Sequence, residues 1–348
     1  MRWASVLLLA VSCGIGEPDL WAFSSGTSSS GTGGRTTGGL TAIAIWTSDS
    51  PLDGVEQVYV TFDRVELRRG SQAVVLLDRR RGMNLLELQN GIRRLLADGL
   101  AEPGTYNELV IRLAPGGGLA HFVEADGNIE PLFLAPGAKT EFVFDGPFRL
   151  RPDEELELQL DFNVLLSVFE ANGTWYLAPN GSLHDPRVAA AIEGTALPAG
   201  TTVSAQLDGR EVASTTSGPD GYFRIFPLRG DRYDLLARRT GYVPELQCDI
   251  EARYASTTGG FNIILRPGES SELTGFAFNV GSEGLFVRLR WNGSFIGVAG
   301  IDPVTGRFSY PNVPAGSIEA EIWDARGPLG RRELTLVSPG IDALLEFK

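Results

Sequence analysis

The sequence predicts an all-β chain made of tandem antiparallel β-sandwiches, one larger sandwich with a short helix and then two smaller ones. Three observations carry this. Gly (43) and Pro (20) are spread along the 348 residues and break the chain into short runs, as strands and turns require. Many of those runs alternate apolar and polar residues with a period of two. The last part of the chain also repeats itself.

The length exceeds one ordinary core and suits two or three domains of ~100–200 residues. A hydrophobic content of 43% is enough to pack them. The net charge of −13 excludes the basic footprint of a nucleic-acid binder and favours solubility.

The N-terminus runs Met1-Arg2-Trp3-Ala4-Ser5-Val6-Leu7-Leu8-Leu9-Ala10-Val11-Ser12-Cys13. A positive charge, a short apolar run and small residues form an export signal, too short to span a bilayer. Ala10-Val11-Ser12-Cys13 resembles the lipobox of bacterial lipoproteins, which implies lipidation of Cys13 and a signal peptide over 1–13. Ala10-x-Ser12 also fits plain signal cleavage. Residues 14–39 are rich in Gly, Ser and Thr and form a tether with a reach of roughly 30 Å. A lipid and a leash hold a folded body near a membrane. Gly14 is not the Asp that retains lipoproteins at the inner membrane, so the expected place is the outer membrane or cell surface. The second cysteine, Cys248, lies in a very different context. It is expected to be a buried small hydrophobe without a disulfide.

The segment 40–187 reads as the first sandwich. Leu156, Leu158, Leu160, Phe162 and Val164 alternate with Glu155, Glu157, Gln159, Asp161 and Asn163, a strand with one buried and one wet face. Val58, Val60 and Phe62 form another, and the phase slips to Val65 and Leu67, which predicts a bulge. Leu109, Ile111 and Leu113 make a third. Asn84 to Leu96 has the spacing of a short helix broken near Gly91. Thr47-Ser48-Asp49-Ser50-Pro51, Val58 to Leu67, Asn84 to Gly91, Pro103-Gly104-Thr105-Tyr106 and Leu160-Asp161-Phe162-Asn163 together resemble a bacterial and archaeal family, domain of unknown function 4382. That resemblance implies an extracytoplasmic β-rich domain and no particular activity.

Residues 188–348 hold the repeat. Asp220 to Leu228 aligns with Thr305 to Val313, Leu207-Asp208-Gly209 with Trp291-Asn292-Gly293, and Ile192-Glu193-Gly194 with Leu273-Thr274-Gly275. Each unit, 188–267 and 268–348, reads as a seven-stranded sandwich. Ile192-Glu193-Gly194, Ser217 to Phe223 and Arg232 to Arg238 resemble the carboxypeptidase regulatory-like domain, which has a transthyretin-like fold. The second unit is a degenerate version of it. The resemblance implies a spacer or binding platform, and the fold alone transfers no ligand.

No phosphate loop, dinucleotide fingerprint, HExxH, Gly-x-Ser-x-Gly or EF-hand loop is present. His121 is expected on a strand and His184 in a loop before the repeats, neither with a catalytic signature. Asp49, Asp53 and Asp161 could offer oxygen ligands to calcium, although Asp-Ser-Pro and Asp-Gly are also turn chemistry. Asn172-Gly173-Thr174, Asn180-Gly181-Ser182 and Asn292-Gly293-Ser294 match glycosylation acceptors, but Asn-Gly is first a hairpin turn. Ile318, Ala320 and Ile322 take an inner face, so Trp323 points outward. It is a candidate ligand-binding aromatic or a contact with a neighbouring domain.

The expected function is therefore non-catalytic: a cell-envelope lipoprotein with a structural, adhesive or binding role. Its partners would be the membrane, through the lipid, and a polysaccharide or cell-surface protein. A carbohydrate-binding surface protein is the alternative. A hydrolase ranks third.

Overall fold

The computed structural model describes residues 40–49, 52, 55–115, 120–268, 271–277, 284–336 and 343–347. Cys13 and Asp53 lie outside them. The described chain is almost entirely strand, with a 3-10 turn at Leu85–Glu87 and an α-helix at Val164–Ser167.

Two sheets hold the strands of the first unit. A four-stranded sheet runs Gly181–His184, Leu156–Phe162, Thr41–Asp49, Arg94–Ala101. A nine-stranded sheet is organised on the long strand Gln57–Arg69. The alternating apolar residues meet between the sheets. Ile43, Ile45, Val58, Val60, Phe62, Leu109, Ile111, Leu160 and Phe162 are buried in one cluster. Phe162 meets Phe62 and Phe142 edge to face, at 6.4 and 5.5 Å, the arrangement that ring quadrupoles favour. The phase slip after Phe62 is a register shift against Gly104–Leu113 between Phe62 and Arg64.

The second and third units have one strand order. In the second, Tyr222–Leu228, Ala190–Leu197 and Thr257–Ile264 make a three-stranded sheet; Arg210–Thr216, Thr202–Leu207, Asp231–Arg238 and Glu245–Ala252 make a four-stranded one. In the third, Arg307–Val313, Ser271–Ala277 and Ala343–Phe347 stand against Ser294–Gly300, Phe286–Trp291, Gly316–Asp324 and Gly327–Leu336 in the same sequence.

Some expectations are corrected. The sheets are mixed. Thr41–Asp49 runs parallel to Leu156–Phe162, and the first and last strands of each repeat are also parallel. A strand that returns after a long crossover can lie parallel to the first, which a hairpin cannot do. The helix expected within Asn84 to Leu96 is one 3-10 turn capped by the Asn84 side chain. The turn ends at Glu87 with Leu88 as its cap; Asn90 and Gly91 beyond it take positive φ of 56° and 79°, and Leu95 and Leu96 belong to a strand. Val164 opens the α-helix, capped by Asn163, where a strand was expected to continue. Asn172-Gly173 and Asn292-Gly293 are hairpin turns with both residues at positive φ, as a type I′ turn requires. Asn180-Gly181 is not a hairpin turn. Gly181 starts a strand beside Phe162, where a Cβ would stand 2.8 Å from the Asp161 carbonyl oxygen.

Candidate functional site

The polar face of the four-stranded sheet is not wet. Strand register sets Ser48 beside Asp161 and Asp161 beside Ser182, with Gln159 beside His184. Gln159 Nε2 donates to Ser48 Oγ at 2.9 Å, and Ser48 Oγ donates to Asp161 Oδ1 at 3.1 Å. Ser182 Oγ lies 2.6 Å from His184 Nε2. Asp161, Gln159, Ser48 and His184 are all buried. The second unit supplies Glu211 to this seam. Its Oε1 accepts from Asn163 Nδ2 at 3.3 Å and from Ser214 Oγ at 3.0 Å.

Burial pushes the Asp161 carboxyl up to about 7; the Ser48 hydrogen bond opposes this and the Glu211 charge adds to it. Burial pushes His184 down to about 4, helped by the Arg229 charge. A serine, a histidine and an aspartate thus share one sheet face. They do not form a relay, because Asp161 is engaged by Ser48 and the serine–histidine contact joins residues two apart on one strand. The expectation that His184 sits in a loop is corrected: it ends the strand Gly181–His184.

His121 is a satisfied core residue. It lies at a bend just before the strand Phe122–Ala125, not on a strand. Its Nδ1 accepts from the Thr61 backbone at 3.2 Å, and its Nε2 donates to the Ala114 carbonyl 2.9 Å away. Burial holds its pKa below the ordinary value.

The third unit meets the first through an apolar contact. Phe169, Tyr176, Ala135 and Ala171 pack on Phe286, with the rings of Phe169 and Phe286 4.7 Å apart. Trp323 packs against this cluster and is half-buried. The Arg288 guanidinium lies 3.8 Å from its ring centre, and Trp323 Nε1 donates to Glu321 Oε2 at 2.7 Å. Of the two expected roles, this geometry is that of a contact with a neighbouring unit.

The second and third units interlock through side chains of each that bond the backbone of the other. The Gln206 amide donates to the Phe295 carbonyl and accepts from the Phe295 N–H, both at 2.8 Å. Arg290 Nε donates to the Gly209 carbonyl at 3.1 Å.

Where all three units meet, a cleft of about 670 Å³ opens. Trp175 comes from the first unit, Arg239 and Tyr242 from the second, and Asp302, Arg307 and Tyr310 from the third. The Arg239 guanidinium lies over Tyr242, 5.9 Å from the ring centre.

Of the expected calcium ligands only Asp161 has a described side chain. Asp161 is in the seam, Asp49 ends its strand with a side chain outside the described set, and Asp53 lies outside it. Among the described residues no group of three or more His, Cys, Asp or Glu could hold a metal. Cys248 is half-buried and disulfide-bonded, which corrects the expectation of a buried, unpaired thiol. Sequence reading missed the seam and the cleft. Arg238-Arg239-Thr240-Gly241-Tyr242, a cationic pair next to a turn and an aromatic, was the available signal for the cleft.

Residues 41–179 match the family model "Domain of unknown function (DUF4382)". The match supports the family resemblance over the first unit and carries no activity. No curated protein matches the chain. Among solved structures, a Streptococcal ancillary pilin is 8% identical, with 88% of this chain and 98% of the other covered and a TM-score of 0.20. The shaft pilin SpaA of Lactobacillus rhamnosus GG is 11% identical over 66% of this chain and 98% of its own, at a TM-score of 0.19. BcpA, the major pilin subunit of Bacillus cereus, is 11% identical over 88% and 99%, at 0.17. At these TM-scores the chains do not superpose as wholes, and no property is transferred from them.

Proposed function

We propose that this chain is an exported cell-envelope protein with a structural or adhesive, non-catalytic role. The observation that carries the reading is that the three units are locked to one another by specific contacts on several sides. Gln206 treats the Phe295 backbone as a strand neighbour would. Asn90 does the same at the other side: its N–H donates to Thr215 Oγ1 at 3.1 Å and its Nδ2 to the Thr216 carbonyl at 2.9 Å. Contacts of this kind fix the angle between units, which a spacer needs and a flexible string of domains lacks. The histidines support the non-catalytic part. Both are neutral, buried and hydrogen-bonded, whereas general acid–base work needs a group within reach of substrate.

In this reading, 1–13 is the signal peptide, Cys13 carries lipid, 14–39 is the tether, and 188–267 and 268–348 are carboxypeptidase regulatory-like repeats. No helix of the described residues is long and apolar enough to cross a membrane, so attachment falls to the lipid. The disulfide at Cys248 stands against it, because the sequence has two cysteines and one sulfur cannot serve both. The reading requires lipid transfer to reach Cys13 before the strand Glu245–Ala252 folds. Cell fractionation and intact mass of the non-reduced protein test this. The expected result is a lipid mass on Cys13, with Cys13→Ser releasing the chain from the membrane. An unlipidated, disulfide-bonded product would overturn the anchor. Turnover of an ester, glycoside or peptide, lost on changing His184, would overturn the non-catalytic role.

A further inference from the structure

We propose that the cleft between the three units binds an acidic polysaccharide, holding the carboxylate of a uronic acid on Arg239 and Arg307. The proposal deepens the adhesive reading and rests on it only for the protein's surface location.

The cleft volume of about 670 Å³ lies within the ~300–1,000 Å³ typical of small-ligand sites. Its lining mixes apolar and polar groups, and its charges are unequally committed. The carboxylates that line it are already engaged. Glu170 accepts from the Gly173 backbone N–H. Glu272 accepts from the Ser309 hydroxyl. Asp302 accepts from the backbone N–H groups of Val304 and Thr305, at 2.8 and 3.1 Å, and these hold its carboxyl below the usual range. The arginines are different. Arg239 Nη1 is buried and has no hydrogen-bond partner. Arg307 lies over Phe276, 5.2 Å from the ring centre, and makes no ion pair among the described residues. Both guanidiniums are thus braced on aromatic faces, with Arg239 short of an acceptor and Arg307 open to solvent.

A buried donor without an acceptor is costly, and more so when it is charged. A carboxylate removes that cost and suits the planar fork of arginine. The aromatic walls decide the rest of the ligand. Trp175, Tyr242 and Tyr310 line the same cleft, and an aromatic wall with polar tips suits an amphipathic sugar ring. A free inorganic anion would leave those walls unused. The net charge of −13 repels a polyanion at long range, but at physiological salt that field is screened beyond about 8 Å.

The test is calorimetric titration of the purified full chain, at about 0.15 M salt, with polygalacturonate, dextran sulfate and neutral dextran. Polygalacturonate should bind, and dextran should not. Arg239→Gln and Arg307→Gln should each weaken binding about tenfold or more with little change in Tm. Arg239→Lys, which keeps the charge and loses the fork, should fall between. Arg307 is exposed, so its variant reports binding even if the Arg239 variant disturbs folding. Binding of dextran sulfate without polygalacturonate would overturn the carboxylate assignment. No binding of either, or binding that both arginine variants retain, would overturn the site. None of these outcomes touches the structural role, which is read from fractionation and turnover.

Discussion

The first unit holds its two neighbours by opposite means. Against the second it buries a polar seam of Ser48, Gln159, Asp161 and His184 beneath Glu211. Against the third it buries Phe169 and Tyr176 on Phe286, with Trp323 alongside. The apolar contact draws on area removed from water and is insensitive to proton concentration. The seam works by satisfying particular donors and acceptors, and each charge it buries is costly unless neutral or paired. One contact therefore supplies strength, and the other supplies a defined angle and a dependence on pH.

The largest expected effect breaks the apolar side. Phe169→Ala should cost about 3–5 kcal/mol, as for a buried aromatic truncated to a cavity, and the loss should be equal at pH 5 and pH 8. Urea unfolding at the two values checks this, and a loss that varies with pH would mean that the two contacts are coupled.

A somewhat smaller effect, of opposite sign, is expected in the seam. Asp161 has a folded pKa of about 7 against an ordinary value of 3.8. A carboxyl raised in the fold favours the proton there, so stability is greatest at low pH and declines as pH rises from about 4 through about 7. Asp161→Asn keeps an acceptor for Ser48 and removes the charge. At pH 8 it should stabilise the chain by on the order of 3–4 kcal/mol. His184 works the other way. Its folded pKa of about 4 lies below 6.5, so its share of stability is present above about 6.5 and lost as pH falls toward 4. In the wild type the two trends oppose each other. In Asp161→Asn the histidine trend should stand alone, with stability falling below pH 6.5. A variant whose stability does not depend on pH from 4 to 7 would show that His184 is not buried as described.

The smallest effect concerns the polar plug at the edge of the second unit. Asn90 has φ of 56° and donates to Thr215 and Thr216. Asn90→Gly keeps the left-handed backbone and deletes the side-chain bonds, so it should cost about 1–2 kcal/mol. Hydrogen exchange at the Arg224 amide, which donates to Asn90 Oδ1 at 3.3 Å, should accelerate, while exchange around Phe286 should not. Equal acceleration at both places would mean that the units open together.

The alternation of Leu156 to Phe162 read correctly as two faces. It misread the polar one as wet, because periodicity says which residues share a face and not what covers it. Gln159 and Asp161 are buried by residues far along the chain, and Glu211 carries no local mark of that role. The repeated turns were legible because Asp208-Gly209 and Asn292-Gly293 are turn chemistry fixed within a few residues, and each closes the equivalent hairpin. Trp323 was correctly placed opposite Ile322, but the Arg288 stack and the neighbouring unit could not be read from a strand pattern. The cleft was invisible for the same reason, since its walls come from three separate units.

The parallel pairing of the opening and closing strands of each repeat has a mechanical consequence. Ala190–Leu197 lies alongside Thr257–Ile264, and Ser271–Ala277 alongside Ala343–Phe347, each pair running in the same direction. A chain that enters on one such strand and leaves on the other is gripped at opposite ends. Tension along the chain then loads the hydrogen bonds between these strands in shear, all at once, whereas a hairpin pulled at its two ends opens one bond at a time. Forced unfolding is governed by the unfolding rate rather than by equilibrium stability, so a repeat of ordinary thermal stability can still resist pulling along its own length.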